Sequence, residues 1–332
     1  MTRVHFYVHG RGRGHGERSR SFIERLCHHS YEVRIFAGRD ALSVFQDMEV
    51  ERVESIMPGA GMSLPRALVQ RIHAARRAMR REAPELLISD GDLPSIWAAR
   101  LCKVPSIAIG HGLVFSHTRR FGALPRLPWL REASKARLAS LGSERQIALS
   151  FVPLKAKRSA ARVTFPPIRE GLLGPRTPGQ HILAYFRDSN ASSILRSLGK
   201  SGQEVLLFSA RDPQIEGITW QPIQRERFDH ALKGARGVVS SAGSQLISEC
   251  LALKTPHFVL YDEEDDEQAL NVAMLAHFEL GRGAPFLTWT QSELDAFLTG
   301  LPSAQERAAL TSQNEASFDA LHCALEELLA RV

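Results

Sequence analysis

Gly237-Val238-Val239-Ser240-Ser241-Ala242-Gly243-Ser244-Gln245-Leu246-Ile247-Ser248-Glu249 passes from a short apolar run, through four small residues, into a helical pattern. The run predicts a buried strand over 237–240, and the pattern predicts a helix over 244–253. A small-residue turn feeding a helix N-terminus offers free backbone N–H groups and the positive end of the helix dipole, which together suit an anion. Glu249 lies too deep in that helix to cap it. A second apolar run over 256–261 and a helix from about 267 to 277 follow, so the segment reads as strand, helix, strand, helix. Alternation of this kind builds a parallel sheet covered by helices on both faces.

The same alternation extends upstream, with strands over 182–186 and 204–209 and helices near 192–199 and 226–233. It also occupies the first half of the chain. Strands are expected over 4–8, 32–37, 86–89 and 106–109, and helices through Phe22, Ile23 and Leu26 and around 96–101. The helix over 64–82 shows Leu64, Leu68, Ile72, Ala75 and Met79 at helical spacing. Between the halves, Pro166, Pro167, Gly171, Gly174, Pro175, Pro178 and Gly179 mark a linker. The expected class is α/β, with two doubly wound Rossmann-like domains over 1–165 and 181–305, a linker over 166–180, and an amphipathic C-terminal helix over 306–332.

The 332 residues divide unevenly in charge. Residues 1–165 hold 28 Lys and Arg against 14 Asp and Glu, a net of +14, whereas the remainder holds 14 against 22, a net of −8. A basic half seeks phosphate in a nucleotide, a nucleic acid or an anionic membrane. No apolar run approaches the roughly 18–20 residues of a membrane span. Cys27, Cys102, Cys250 and Cys323 are far apart and form no CxxC pair, which argues against a structural zinc site or disulfide framework and suits a reducing cytosol. The expected location is cytoplasmic.

Two further loops carry chemistry, because parallel sheets bind ligands at the carboxyl ends of their strands. After the first strand comes Gly10-Arg11-Gly12-Arg13-Gly14-His15-Gly16. Alternate glycines let the backbone turn sharply and approach a ligand. This is not a dinucleotide fingerprint, since His15 or Glu17 occupies the third glycine position in either frame. His15 reads either as a loop residue capping the next helix or as a general base. Ser89-Asp90-Gly91-Asp92 is the second loop. Its aspartates could hold a divalent ion or cap a helix, but the more economical role for Asp90 is to orient and charge-stabilise a histidine base.

Asp262–Glu267 is a run of six acids followed by Gln268 and Asn271. Most of it reads as a solvated loop, while Glu267 and Gln268 open a helix and could bind sugar hydroxyls. Between Leu113 and Arg137, Phe115, Phe121, Leu124, Leu127, Trp129 and Leu130 interleave with Arg119, Arg120, Arg126, Arg131, Lys135 and Arg137. Arg71, Arg76, Arg77, Arg80 and Arg81 crowd an earlier helix, for which a solvated basic face is the plain reading. Aromatic residues among arginines suit an anionic lipid surface or single-stranded nucleic acid. No RNA-binding motif is present, so nucleic acid is not the expected partner.

Taken together, the chain resembles the two-domain nucleotide-sugar glycosyltransferases of the B-type (GT-B) fold, in particular the peptidoglycan GlcNAc transferase and UDP-glycosyltransferase group. The matching pieces are Gly12-Arg13-Gly14-His15, Leu87-Ile88-Ser89-Asp90, Pro166-Pro167-Ile168-Arg169, Ser240 through Ser244, Ser248-Glu249, Pro256, and Glu267-Gln268 through Asn271. The chain departs from that pattern in Gly16 after His15, in the long acidic run and in its short length.

The resemblance implies an acceptor-side first domain and a donor-binding second domain facing across a cleft, with the C-terminal helix packed back on the first. It implies His15 as the base or a diphosphate contact, and Asp90 as its partner. Gly14, Gly243 and Ser244 would cradle the donor phosphates, Glu249 the ribose and Ile223 the nucleobase. Glu267, Gln268 and Asn271 would meet the donor sugar, and Arg11, Arg13 and His111 would stand on the acceptor side. The expected activity is inverting, metal-independent transfer from a UDP-linked sugar, a substrate rather than a cofactor, to an acceptor hydroxyl that is lipid-linked. Arg119, Arg120, Phe121 and Trp129 are the expected membrane patch, placing the enzyme peripherally on the inner face. The competing readings are a nucleotide-sugar 2-epimerase and a non-catalytic binder of nucleotide-sugar or nucleic acid.

Overall fold

The computed structural model describes residues 1–10, 12–53, 63–122, 124–157, 161–174, 179–186, 191–301 and 316–330. Its contacts divide the chain into two compact units. One comprises Met1–Phe121, Trp129–Pro167 and Glu315–Val332, and the other Gly122–Pro128 and Ile168–Asn314.

The first unit is built on β1 (Arg3–Val8), β2 (Glu32–Ala37), β3 (Val50–Arg52), β4 (Leu86–Asp90), β5 (Ser106–Gly110), β6 (Arg145–Leu149) and β7 (Ala161–Thr164). They form a seven-stranded sheet in the order β3-β2-β1-β4-β5-β6-β7, parallel throughout. Its helices are α1 (Arg13–His28), α2 (Leu64–Glu82), α3 (Leu93–Cys102), α4 (Leu113–His117) and α5 (Arg126–Ala139). Side chains alternate across each strand. Val4, Phe6 and Val8 therefore join Ile35, Ile88, Ile109 and Leu149 on one face, where Phe22, Ile23 and Leu26 of α1 cover them.

The second unit uses β8 (Ile182–Tyr185), β9 (Val205–Phe208), β10 (Ile218–Gln221), β11 (Gly237–Ser241), β12 (His257–Tyr261) and β13 (Arg282–Pro285). The order is β10-β9-β8-β11-β12-β13, again all parallel. Helices α6 (Ser192–Gly199), α7 (Arg225–Gly234), α8 (Ser244–Ala252), α9 (Asp266–His277) and α10 (Gln291–Thr299) link and cover these strands. Two cores result, one per sheet face. Phe186, Ile194 and Phe297 contribute to one, and Phe208, Phe228 and Cys250 to the other.

Both sheets wind from the centre to one edge and then back to the centre and out the other way. The reversal lies between β1 and β4 in the first sheet and between β8 and β11 in the second. Strand connections on either side of such a point diverge and leave a crevice at the carboxyl ends.

The four edge strands β3, β7, β10 and β13, together with β6, are absent from the sequence-based expectation. An edge strand is covered on fewer sides, so it needs no apolar run. Val50-Glu51-Arg52 and Arg282-Gly283-Ala284-Pro285 carry none. Pro285 ends β13 at the margin of its sheet, where a strand tolerates proline.

A helix, Ala316–Leu329, returns to the first sheet as expected. Leu321, Ala324 and Leu325 are buried in the same core as Val4 and Phe6. Glu327 pairs with Arg145 at 3.1 Å and with Arg162. No helix among the described residues is long and apolar enough to cross a membrane.

Leu325 has no exposed surface, so Leu325→Ala should destabilise the first unit by about 2–5 kcal/mol, the usual range for a buried leucine. Urea unfolding followed in the first unit measures this. An unchanged midpoint would place the helix outside the core.

Candidate functional site

In the first unit the reversal point gathers three side chains around one carboxylate. Asp90, the last residue of β4, is fully buried. Its Oδ2 accepts from Arg18 Nε at 2.6 Å and from the Ser19 hydroxyl at 2.9 Å, and its Oδ1 accepts from Arg18 Nη2 at 2.5 Å. His15 Nδ1 lies 2.8 Å from Oδ1. His15, Arg18 and Ser19 sit at i, i+3 and i+4 on α1 and so share one helical face. Burial pushes the Asp90 pKa upward, but the charges and hydrogen bonds of Arg18 and His15 outweigh it and hold the carboxyl well below the usual range.

Arg18 Nη2 also stands 2.7 Å from His15 Nδ1, so the two tautomers of His15 differ in partner. With Nδ1 protonated, the proton is donated to Asp90 and Nε2 is left as an acceptor. With Nδ1 bare, the ring accepts from Arg18 and its proton sits on Nε2. The His15 side chain keeps 28% of its surface exposed. Gly91 has φ +74°, and a Cβ there would stand 3.5 Å from His15 Cε1 and 3.3 Å from His9 Cβ. Left-handed backbone pressed against a histidine ring favours glycine at this position.

The two carboxylates of Asp90-Gly91-Asp92 serve different partners. Asp92 caps α3 by accepting from Ser95 N–H at 3.1 Å, and it also accepts from Arg71 Nη2 at 2.9 Å.

In the second unit, Gly243 is the N-cap of α8, which no side chain caps. A Cβ on Gly243 would meet nothing within 4 Å, so open space faces the turn. The first N–H groups of α8 are thus presented beyond β11 at the second reversal point. Asn271, fully buried, donates from Nδ2 to the Ala242 carbonyl at 3.0 Å and ties α9 to this turn. Ser240 Oγ lies 2.8 Å from His257 Nε2 beneath it, and burial pushes the His257 pKa down to about 3.

Glu249 is only 1% exposed. Its oxygens accept from Arg169 Nε at 2.8 Å, Arg169 Nη2 at 2.7 Å and Gln245 Nε2 at 3.0 Å. Arg169 Nη1 pairs with Asp229 at 2.5 Å. A carboxylate has about four acceptor positions, and these three donors fill most of them. Gln268 folds back on the α9 cap, donating from Nε2 to Asp265 Oδ2 at 3.1 Å, and Glu267 is half-buried in the first turn of α9. Ile223, just beyond β10, is half-buried against the core of Phe208 and Phe228.

The sequence model described as glycosyl transferase family 1 matches residues 2–302. The chain belongs to that family. No curated protein matches the sequence. Among solved structures, the spinosyn forosaminyltransferase SpnP aligns with TM-score 0.67 at 16% identity, covering 99% of each chain. MurG of Acinetobacter baumannii aligns with TM-score 0.65 at 15% identity, covering 98% of this chain and all of that one. A UDP-GlcNAc 2-epimerase of Neisseria meningitidis, bound to UDP-GlcNAc, aligns with TM-score 0.64 at 14% identity over 99% of this chain and all of that one. At such identities the likeness establishes the fold, a two-sheet GT-B glycosyltransferase architecture.

For this glycosyltransferase, several expected contacts change. His111 is 1% exposed, with Nδ1 2.8 Å from the Leu149 carbonyl and its ring stacked on Phe151, so its burial removes it from the acceptor surface. Arg13 is half-buried and reaches Ser43 and Glu17, while Gly14 falls inside the first turn of α1. Arg11 lies outside the described residues. Trp129 is 3% exposed and packs edge-on against Phe115 and Phe121, so it is core rather than a membrane anchor. Arg119 and Arg120 are exposed and Phe121 is half-buried. The exposed apolar groups nearby are Leu127, Leu130 and Leu138 on α5.

Arg18, Ser19 and Asp229 carried no expectation, and Arg169 stood only in the matching piece Pro166–Arg169, without its partners. Arg18 and Ser19 were legible in principle from their helical spacing to His15. Arg169 follows a proline pair and meets its partners 60 and 80 residues later, a separation that carries no local signal.

His257 is neutral in the fold, whereas in the unfolded chain it takes up a proton below about pH 6.5. Stability should therefore fall as pH drops from about 6.5 toward 3, by up to about 1.4 kcal/mol per pH unit from this group. His257→Gln should remove that component. Denaturant titrations from pH 7 to 4 test it, and parallel curves for the two proteins would refute it.

Proposed function

We propose that this glycosyltransferase moves a sugar from a UDP-linked donor to an acceptor hydroxyl, with inversion and without a metal. The observation that carries the reading is the His15–Asp90 pair at the first reversal point, with the ring partly exposed and the carboxylate fully buried. In the tautomer that donates to Asp90, His15 Nε2 can take the acceptor's proton as the oxygen attacks the sugar carbon. Asp90 then stabilises the imidazolium, and Arg18 keeps Asp90 ionised. The uncapped start of α8 is suited to the diphosphate that leaves, where its N–H groups and dipole would stabilise developing charge. Arg169 fixes the buried Glu249 carboxylate, which holds α8 behind the ribose position that the resemblance implies. Glu267 and Gln268 offer donor-sugar contacts, and Ile223 lies in the stretch assigned to the nucleobase.

Lipid-linked acceptors fit the exposed leucines and bases of α5. Leu127, Leu130 and Leu138 project beside Arg126, Arg131 and Arg137, a combination that suits peripheral docking on the anionic inner face of a membrane.

A thermal-shift screen against nucleotides and nucleotide-sugars tests the donor. A ligand at 100 times its dissociation constant should stabilise by about 2.7 kcal/mol. Response to UDP-sugars is expected, and response to none would remove the donor assignment. Product that forms only with an added acceptor supports transfer, whereas product without one supports the epimerase reading.

His15→Ala should lower turnover by roughly 100-fold or more while leaving donor affinity within several-fold, because a base acts mainly in the transition state. Near-normal turnover would return His15 to a loop role.

A further inference from the structure

A second aromatic ring stands beside His15. His9 follows β1 directly, and its ring centroid lies 5.3 Å from that of His15 with the two planes at 69°, an edge-on pair. Rings favour this arrangement because the positive edge of one meets the negative face of the other.

The backbone on either side of His9 fixes where its ring goes. β1 pairs with β4 through Val8 and Asp90, and the pairing runs one step further, His9 N–H donating to the Asp90 carbonyl at 2.9 Å. The next residue, Gly10, is pressed on the loop after β2. A Cβ on Gly10 would stand 2.6 Å from the Gly38 carbonyl oxygen, and the Gly10 carbonyl accepts from Asp40 N–H at 3.1 Å. The half-buried His9 side chain rests on Gly91, the same residue that leaves space for His15. One missing Cβ therefore makes room for both rings, and the strand end that places Asp90 also places His9.

Charge gives this neighbour a use. When His15 takes the acceptor's proton its ring becomes a cation. Around it, Asp90 supplies one negative charge, but Arg18, with Nη2 2.7 Å from His15 Nδ1 and 2.5 Å from Asp90 Oδ1, supplies one positive. An aromatic face within about 6 Å of a cation attracts it, and the His9 ring stands inside that distance. The attraction exists only once His15 is charged, so it favours the transition state over the bound substrate.

We propose that His9 is a positioning residue for the transfer reaction, its neutral ring holding the His15 imidazole edge-on and favouring its charged form. His9 exchanges no proton in this role, so another aromatic ring can replace it. The inference rests on the reading of His15 as the base.

Steady-state kinetics of His9→Leu and His9→Phe test it, because leucine fills similar space without an aromatic face and phenylalanine restores the face. His9→Leu should lower kcat about threefold or more with KM within about twofold, and His9→Phe should keep kcat within about twofold of the parent. In a His15→Ala background, His9→Leu should change kcat by less than about twofold, since its effect passes through the missing ring. Parental turnover in His9→Leu, equal losses in His9→Leu and His9→Phe, or an undiminished effect of His9→Leu without His15 would each overturn the proposal. The two readings fail separately. Near-normal turnover in His15→Ala removes the base and this inference with it, whereas loss of turnover in His15→Ala alongside parental turnover in His9→Leu removes only the role of His9.

Discussion

A carboxylate removed from water must recover from the protein the hydrogen bonds it has lost, and Asp90 recovers them from a single helical turn. Arg18 contributes two donors, Ser19 one and His15 a ring nitrogen, and all three depend on α1 starting where it does. The start is set by Gly12, at φ +82°, which turns the chain from the β1 loop into the helix. Gly110, at the end of β5, has φ +152°, a backbone conformation that favours glycine, and lies beside Asp90 and Arg18. The glycine-rich loop therefore serves the buried acid as much as any ligand. Strand, turn and helix converge on one ionised group, and the histidine is oriented as part of that solution.

The second unit solves a similar problem in a different way. Glu249 and Asp229 are both buried and both pair with Arg169, which arrives from the chain segment entering the unit. Pairing of this kind offsets desolvation rather than adding much stability. What it supplies is position, because α7, α8 and the entering segment are held to one guanidinium. Asn271 does the same for the turn ahead of α8 with a neutral amide. The N–H groups offered to an anion are thus fixed from behind by side chains that an anion would never touch.

Central strands were legible because burial on both faces forces an apolar run, as in Val4–Val8 or 86–89. Edge strands were not, because Glu51, Arg52 and Arg282 satisfy a sheet margin that is half solvent. The ends of β1, β4 and β11 were legible because small residues and aspartate punctuate the chain there. What those residues bond to was harder to read. His111 and Trp129 are types that suit an acceptor or a membrane, yet both fill the first unit's interior, and composition does not distinguish an aromatic facing outward from one facing inward. The partners of Asp90 and Glu249 come from elsewhere in the sequence, so pairing could be guessed only where helical spacing disclosed it.

Leu321, Ala324 and Leu325 close a core that begins at Val4. During synthesis, β1 through β7 leave the ribosome first and the whole second unit follows before those three residues exist. The first sheet must wait through that interval with part of its apolar face uncovered, while the six strands and helices α6 to α10 of the second unit are all made by residue 299. The order of birth and the order of completion are therefore reversed. The half made first is finished last, and a chain halted anywhere before residue 321 leaves that surface open to chaperones and proteases.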